Sequence, residues 1–121
     1  MNVNNPRNRI LFLYAELTPY FVGSIENFIS NNKDYVIHVV YLNIFRGLIL
    51  DDELQSKFTP KDKFVSLNSL LSFIDQINPY LILISGRMDS DYLKIAKIFC
   101  NKTIRVTVQD TMYKKSLRQY F

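Results

Sequence analysis

The sequence predicts an α/β domain of three layers, a mostly parallel sheet with helices on both faces and strand order 3-2-1-4-5. Two kinds of segment carry that prediction. Uninterrupted apolar runs at residues 9–14 and 80–85 have the composition of strands buried on both faces. Between the apolar runs lie stretches whose apolar residues recur at helical spacing. Strands that alternate with helices require right-handed crossovers, which make neighbouring strands parallel.

The first run, Arg9-Ile-Leu-Phe-Leu-Tyr14, is strand one, and Ala15-Glu16-Leu17-Thr18 follows it as a loop. Thr18 then Pro19 reads as a helix N-cap with proline at the first helical position, and Phe21, Ile25, Phe28 and Ile29 form the apolar stripe of that helix. The helix stops near Asn31-Asn32, and residues 35–41 are strand two. Periodicity fails from Leu42 to Pro60, a loop with room for one short helical turn. Phe64-Val65 offers only two residues for a strand. Ser66 or Asn68 can cap the next helix, whose Leu67, Leu70, Leu71, Ile74 and Ile77 share one face, and Asn78-Pro79 ends it.

Residues 80–85 form the next strand, closed by Gly86, where the backbone needs freedom to turn. Asp89, Ser90 and Asp91 open a helix at its positive end, and Lys94, Lys97 and Lys102 lie toward its negative end; Tyr92, Ile95, Ala96 and Phe99 are its buried stripe. Residues 103–108 alternate polar with apolar, the pattern of a sheet-edge strand. The final segment, 111–121, places Tyr113, Leu117, Tyr120 and Phe121 on one helical face. It stops mid-pattern, so the sequence predicts one domain over residues 1–121 that is the N-terminal fragment of a longer protein.

Composition excludes several classes. With 121 residues, 48% of them hydrophobic and 21% charged, the chain can bury a core of its own and is too apolar for disorder. Apolar runs fall short of the roughly 18 residues of a membrane span and the N-terminus lacks an apolar leader, so the sequence reads as cytoplasmic. Cys100 is the one cysteine and His38 the one histidine, which leaves no disulfide and too few ligands for zinc. No cofactor is expected. Among strand residues His38 reads as a core or edge histidine, and Cys100 as packing. The net charge of +4 favours an anionic partner without identifying one.

The three glycines, Gly23, Gly47 and Gly86, fit neither a dinucleotide fingerprint nor a P-loop. A phosphoacceptor receiver domain needs an acidic pair after strand one and a lysine after the last strand; Glu16 alone and Gln109-Asp110 stand there instead.

In an open parallel sheet the ligand crevice lies beyond the carboxyl ends of the strands, where strand order reverses. That rule selects Glu16 and Thr18 after strand one, Ser85, Gly86, Arg87 and Asp89 after the fourth, and Gln109 and Asp110 after the last, and predicts that these loops converge. Glu16 can accept hydrogen bonds from substrate hydroxyls or be a solvated loop carboxylate. Asp110 can hold a hydroxyl, act as a base or cap the following helix. Arg87 can bind an anionic group or lie on the surface beside a turn.

The run Arg9-Ile-Leu-Phe-Leu-Tyr-Ala-Glu-Leu-Thr-Pro-Tyr-Phe21, the strand Tyr35-Val-Ile-His-Val-Val-Tyr41, the segment Asn78-Pro-Tyr-Leu-Ile-Leu-Ile-Ser-Gly86 and the Gln109-Asp110 turn resemble, in order and spacing, the N-terminal domain of two-domain Rossmann-like glycosyltransferases. The likeness is to the family 4 type that builds bacterial surface polysaccharides, and it spans residues 9 to about 119. The resemblance implies an acceptor-binding domain. In that family a C-terminal domain binds the nucleotide-sugar and transfer occurs in the cleft between the two, so this chain alone is expected to be inactive. The family's glycine-rich loop after strand one is replaced here by Glu16-Leu-Thr-Pro-Tyr20. The implied partners are a saccharide or lipid-linked acceptor and, through the second domain, a nucleotide-sugar, with no nucleic acid. The alternative is a non-catalytic α/β interaction or regulatory module.

The aromatic face of 111–121 and the edge strand before it predict self-association. Lys114, Lys115 and Arg118 support a competing expectation, peripheral docking on an anionic inner-membrane surface.

Overall fold

A computed structural model describes residues 7–85 and 89–99 and the backbone of 104–108. Its elements are β1 (Arg9–Leu17), α1 (Pro19–Asn31), β2 (Val36–Ile44), α2 (Asp52–Gln55), β3 (Phe58–Pro60), a 3-10 turn (Lys61–Lys63), α3 (Leu67–Ile77), β4 (Leu81–Ser85), α4 (Ser90–Ile98) and β5 (Ile104–Val108). The sheet order is β3-β2-β1-β4-β5, and every pairing is parallel. This is the Rossmann-like order expected. Ile10 to Leu13 of β1 align with Leu81 to Ile84 of β4, so the two continuous apolar runs are adjacent central strands.

Alternation of side chains along each strand divides the core into two layers. On one face Ile10, Ile37 and Val39 pack with Phe21, Val22 and Ile25 of α1, Leu54 of α2 and Phe58. On the other, Leu11, Leu13, Val40, Ile82 and Ile84 pack with Leu70, Ile74 and Ile77 of α3 and Tyr92, Ile95 and Phe99 of α4. Each of the larger side chains buried in this way contributes about 2 kcal/mol relative to exposure.

Local chemistry sets the helix ends. The Thr18 hydroxyl accepts a hydrogen bond from the Phe21 amide at 3.1 Å, with Pro19 at the first turn, where a missing N–H costs nothing. Of the two predicted caps for α3, Ser66 is the one used: its Oγ accepts from the Ser69 amide, while Ser69 Oγ accepts from the Ser66 amide. Asn78 closes α3 in the left-handed region at φ 52°, which asparagine tolerates, and the Pro79 that follows prevents continuation.

Three boundaries differ from the sequence reading. Ala15 to Leu17, expected as loop, extends β1, because Glu16 pairs with Asn43 and Leu17 with Ile44 of β2, beyond the point where β4 ends. Likewise β2 runs on to Ile44. The third strand is not at residues 64–65 but at Phe58–Pro60, inside the stretch expected to be irregular, where Val39 and Val40 of β2 supply its partners. Burial explains the choice: Phe58 is 5% exposed and Val65 93%. The helical turn expected in that stretch is α2, capped by Asp51 Oδ1 on the Leu54 amide. The readings of Cys100, Lys102 and residues 111–121, with the associations they predict, lie outside the described residues.

Candidate functional site

The helix that follows β4 is tied to the sheet from inside. Tyr92, two residues into α4 and fully buried, directs its hydroxyl at the carbonyl oxygens of Tyr14 in β1 (3.0 Å) and Val40 in β2 (3.1 Å). This fixes the start of α4 over the middle of β1 and β2. Burial first, and the nearby Asp89 charge second, raise the Tyr92 pKa far above that of a free phenol, so the hydroxyl stays a donor.

Asp89 is the N-cap of α4, its Oδ1 accepting from the Tyr92 amide at 3.0 Å. Its other oxygen lies 3.1 Å from the Lys61 ammonium, which also contacts Asp91 Oδ2 at 2.9 Å. Lys61 follows β3 directly, so the pair of contacts joins the 3-10 turn to α4 at the edge of the sheet. Burial lowers the Lys61 pKa, but hydrogen bonds and charge from Asp91 and Asp89 outweigh it and leave the pKa raised. The ammonium therefore remains charged through the neutral range.

Beside this clamp is a cavity of about 310 Å³ lined by Leu42, Phe64, Val65 and Leu70 on its apolar side and by Lys61, Asp62, Ser66 and Asp91 on its polar side. The Phe64 ring also packs on Phe73, with centroids 5.0 Å apart, which holds it in place. Desolvation first and the Asp62 charge second raise the pKa of Tyr41 in β2. A lining that combines apolar side chains with two carboxylates and an ammonium suits a ring that has hydroxyls on its rim and C–H bonds on its face. The carboxylates accept from hydroxyls, the ammonium donates, and Phe64 packs on the C–H face.

The residues selected from sequence are distributed unevenly around this cleft. Asp89 reaches it through Lys61 but is committed as a helix cap. The Thr18 hydroxyl is committed to α1. Glu16 is exposed near the end of β1, and Ser85 is buried at the end of β4; neither lines the cavity. Gly86, Arg87, Gln109 and Asp110 lie outside the described residues. The cleft is lined by residues of β2, the turn after β3, the loop and helix that follow it, and the start of α4, and none of the described residues selected from sequence lines it.

Lys61, Asp62 and Ser66 were not selected from sequence. In sequence, Lys61-Asp62-Lys63 after a proline looks like any solvated turn, and nothing local marks Lys61 as the partner of carboxylates 28 and 30 residues away. Asp91 was visible only as a helix-opening acid.

Among the described residues no group of three or more His, Cys, Asp or Glu could hold a metal ion, and no helix is long and apolar enough to cross a membrane. Comparisons with protein-family models, curated proteins and solved structures find no match to this chain.

Proposed function

We propose that this chain is the acceptor-binding domain of a glycosyltransferase of the two-domain, Rossmann-like kind, acting in surface-polysaccharide synthesis at the cytoplasmic side of a membrane. The observation that carries the reading is the amphipathic cleft at the carboxyl edge of the sheet, whose lining combines Phe64 with Asp62, Asp91 and Lys61. Its chemistry suits a saccharide, free or as the headgroup of a lipid-linked acceptor. The cleft shares with ligand sites of open parallel sheets the carboxyl side of the strands, but lies beside β2 and β3 and not at the switch point between β1 and β4. In this reading the donor nucleotide-sugar is bound by a second domain.

Backbone chemical-shift titration tests the reading. Methyl glycosides at millimolar concentration should move the amide signals of residues 61–66 and 91. Asp62→Ala should weaken that response about tenfold, the effect of losing one hydrogen bond to a charged group. Asp62 is exposed and has no ion-pair partner among the described residues, so the variant should fold. UDP-glucose should give no micromolar binding. If it does, donor and acceptor roles are misassigned; if no saccharide moves these signals, the alternative of a non-catalytic α/β interaction module takes its place.

A further inference from the structure

The opposite end of the sheet holds a second cavity, of about 370 Å³, lined by Arg9, Val36, His38, Phe73, Gln76 and Ile77. Its volume is within the range of small-molecule sites. Arg9 opens β1 and gives one guanidinium hydrogen bond, from Nη1 to the Ile77 carbonyl at 2.9 Å. That bond fixes the group, and its other N–H donors have no protein acceptor among the described residues. The His38 ring stands edge-on to Phe73, with centroids 6.2 Å apart at 89°. Val36, Phe73 and Ile77 supply apolar walls.

The charge here is of one sign. Burial, then Lys57, then Arg9 lower the His38 pKa. Lys57 lies in the segment before β3, whose carbonyl accepts from the Val39 amide at 2.9 Å. From α3 the facing residues are Phe73 and Gln76, neither of which titrates. Among the described residues no carboxylate lines the cavity, and Asp34 and Asp75 in neighbouring segments are exposed. A cationic, partly desolvated group without a counter-ion among the described residues, set against apolar walls, is complementary to an anion with an apolar body.

We propose that this cavity is a second binding site, distinct from the saccharide cleft, for a small carboxylate with an apolar body, held by Arg9 and His38 and packed on Phe73, Val36 and Ile77. The carboxylate takes the unused guanidinium donors. Its charge reverses the field at His38, so the imidazole takes up a proton as the anion binds. Affinity should therefore rise as pH falls from 7.5 to 5.5.

The chain has one histidine, so its ring proton signal is an unambiguous probe. In the full chain, benzoate should shift that signal with about millimolar affinity, raise the His38 titration midpoint by about half a pH unit or more, and bind more tightly at pH 5.5 than at 7.5. Benzyl alcohol and inorganic phosphate, each lacking half of the chemistry, should bind at least about fivefold more weakly. Gln76→Glu places a carboxylate on the wall at an exposed position and should weaken benzoate about tenfold while raising the midpoint in the free protein. The proposal is overturned if benzoate leaves the signal unmoved at both pH values, if phosphate or benzyl alcohol binds equally well, or if Gln76→Glu leaves the affinity unchanged. None of these outcomes bears on saccharide binding at the other edge.

Discussion

Replacing Tyr92 with phenylalanine removes one oxygen and leaves the ring. The hydroxyl is shared between the carbonyls of Tyr14 and Val40 at 3.0 and 3.1 Å, and the side chain is 0% exposed. A net hydrogen bond contributes about 1 kcal/mol, and a carbonyl left short of a donor in a dry site costs about another 1 kcal/mol. The expected loss is thus about 2 kcal/mol, which for a domain of this size lowers Tm by about 8 °C. A second signature is specific to the phenol. In the unfolded chain Tyr92 ionises near pH 10, whereas in the fold its pKa is raised. The unfolded state loses the proton first. Stability from this source is therefore complete below about pH 10 and declines above it, by up to about 1.4 kcal/mol per pH unit. Tyr41 shifts in the same direction but remains in both proteins. Thermal unfolding at pH 7 measures the first effect, and urea unfolding of both proteins between pH 7 and 11 the second. A variant within about 1 °C of the parent, with the same alkaline decline, would refute the account of how α4 is fixed to the sheet.

Two further predictions concern stability. Phe58→Ala should cost about 3 kcal/mol by opening a cavity under β3, while Val65→Asp should fall within about 0.5 kcal/mol; equal losses in denaturant titration would put the third strand in the wrong place. His38 has a lowered pKa in the fold, so below about pH 6.5 the unfolded chain binds the proton first and stability falls with pH. His38→Gln should flatten that acid decline between pH 7 and 5, and an unchanged profile would mean that the ring is not held neutral by its surroundings.

Where many residues repeat one signal, the sequence was legible. The runs at the centre of β1 and β4, Ile10 to Leu13 and Leu81 to Ile84, are apolar at every position because both faces are covered, and the stripe Leu70, Ile74 and Ile77 marks α3 through its period. Thr18 and Ser66 were legible as caps because capping is local. The third strand was not, since three residues give too few positions for a period to show. Phe64, the more conspicuous apolar residue nearby, packs from a loop. The cleft was obscured for a related reason. Asp89 and Asp91 acquire Lys61 only through the crossover that carries β3 to the far side of the sheet, a relation no sequence window contains. The extension of β1 through Leu17 likewise depends on how far β2 runs beside it.

The three-residue β3 also determines how the sheet meets other molecules. It occupies an outer position, where a longer strand would present a row of unpaired amides and carbonyls to solvent. Instead the row is three residues long, ends in Pro60, which has no amide to offer, and turns at once into the Lys61–Lys63 helical turn. An incoming strand would find almost no ladder to extend. On that side the fold is protected from edge-to-edge aggregation by brevity and a single proline, so the apolar interiors of its central strands can be continuous without making that margin adhesive.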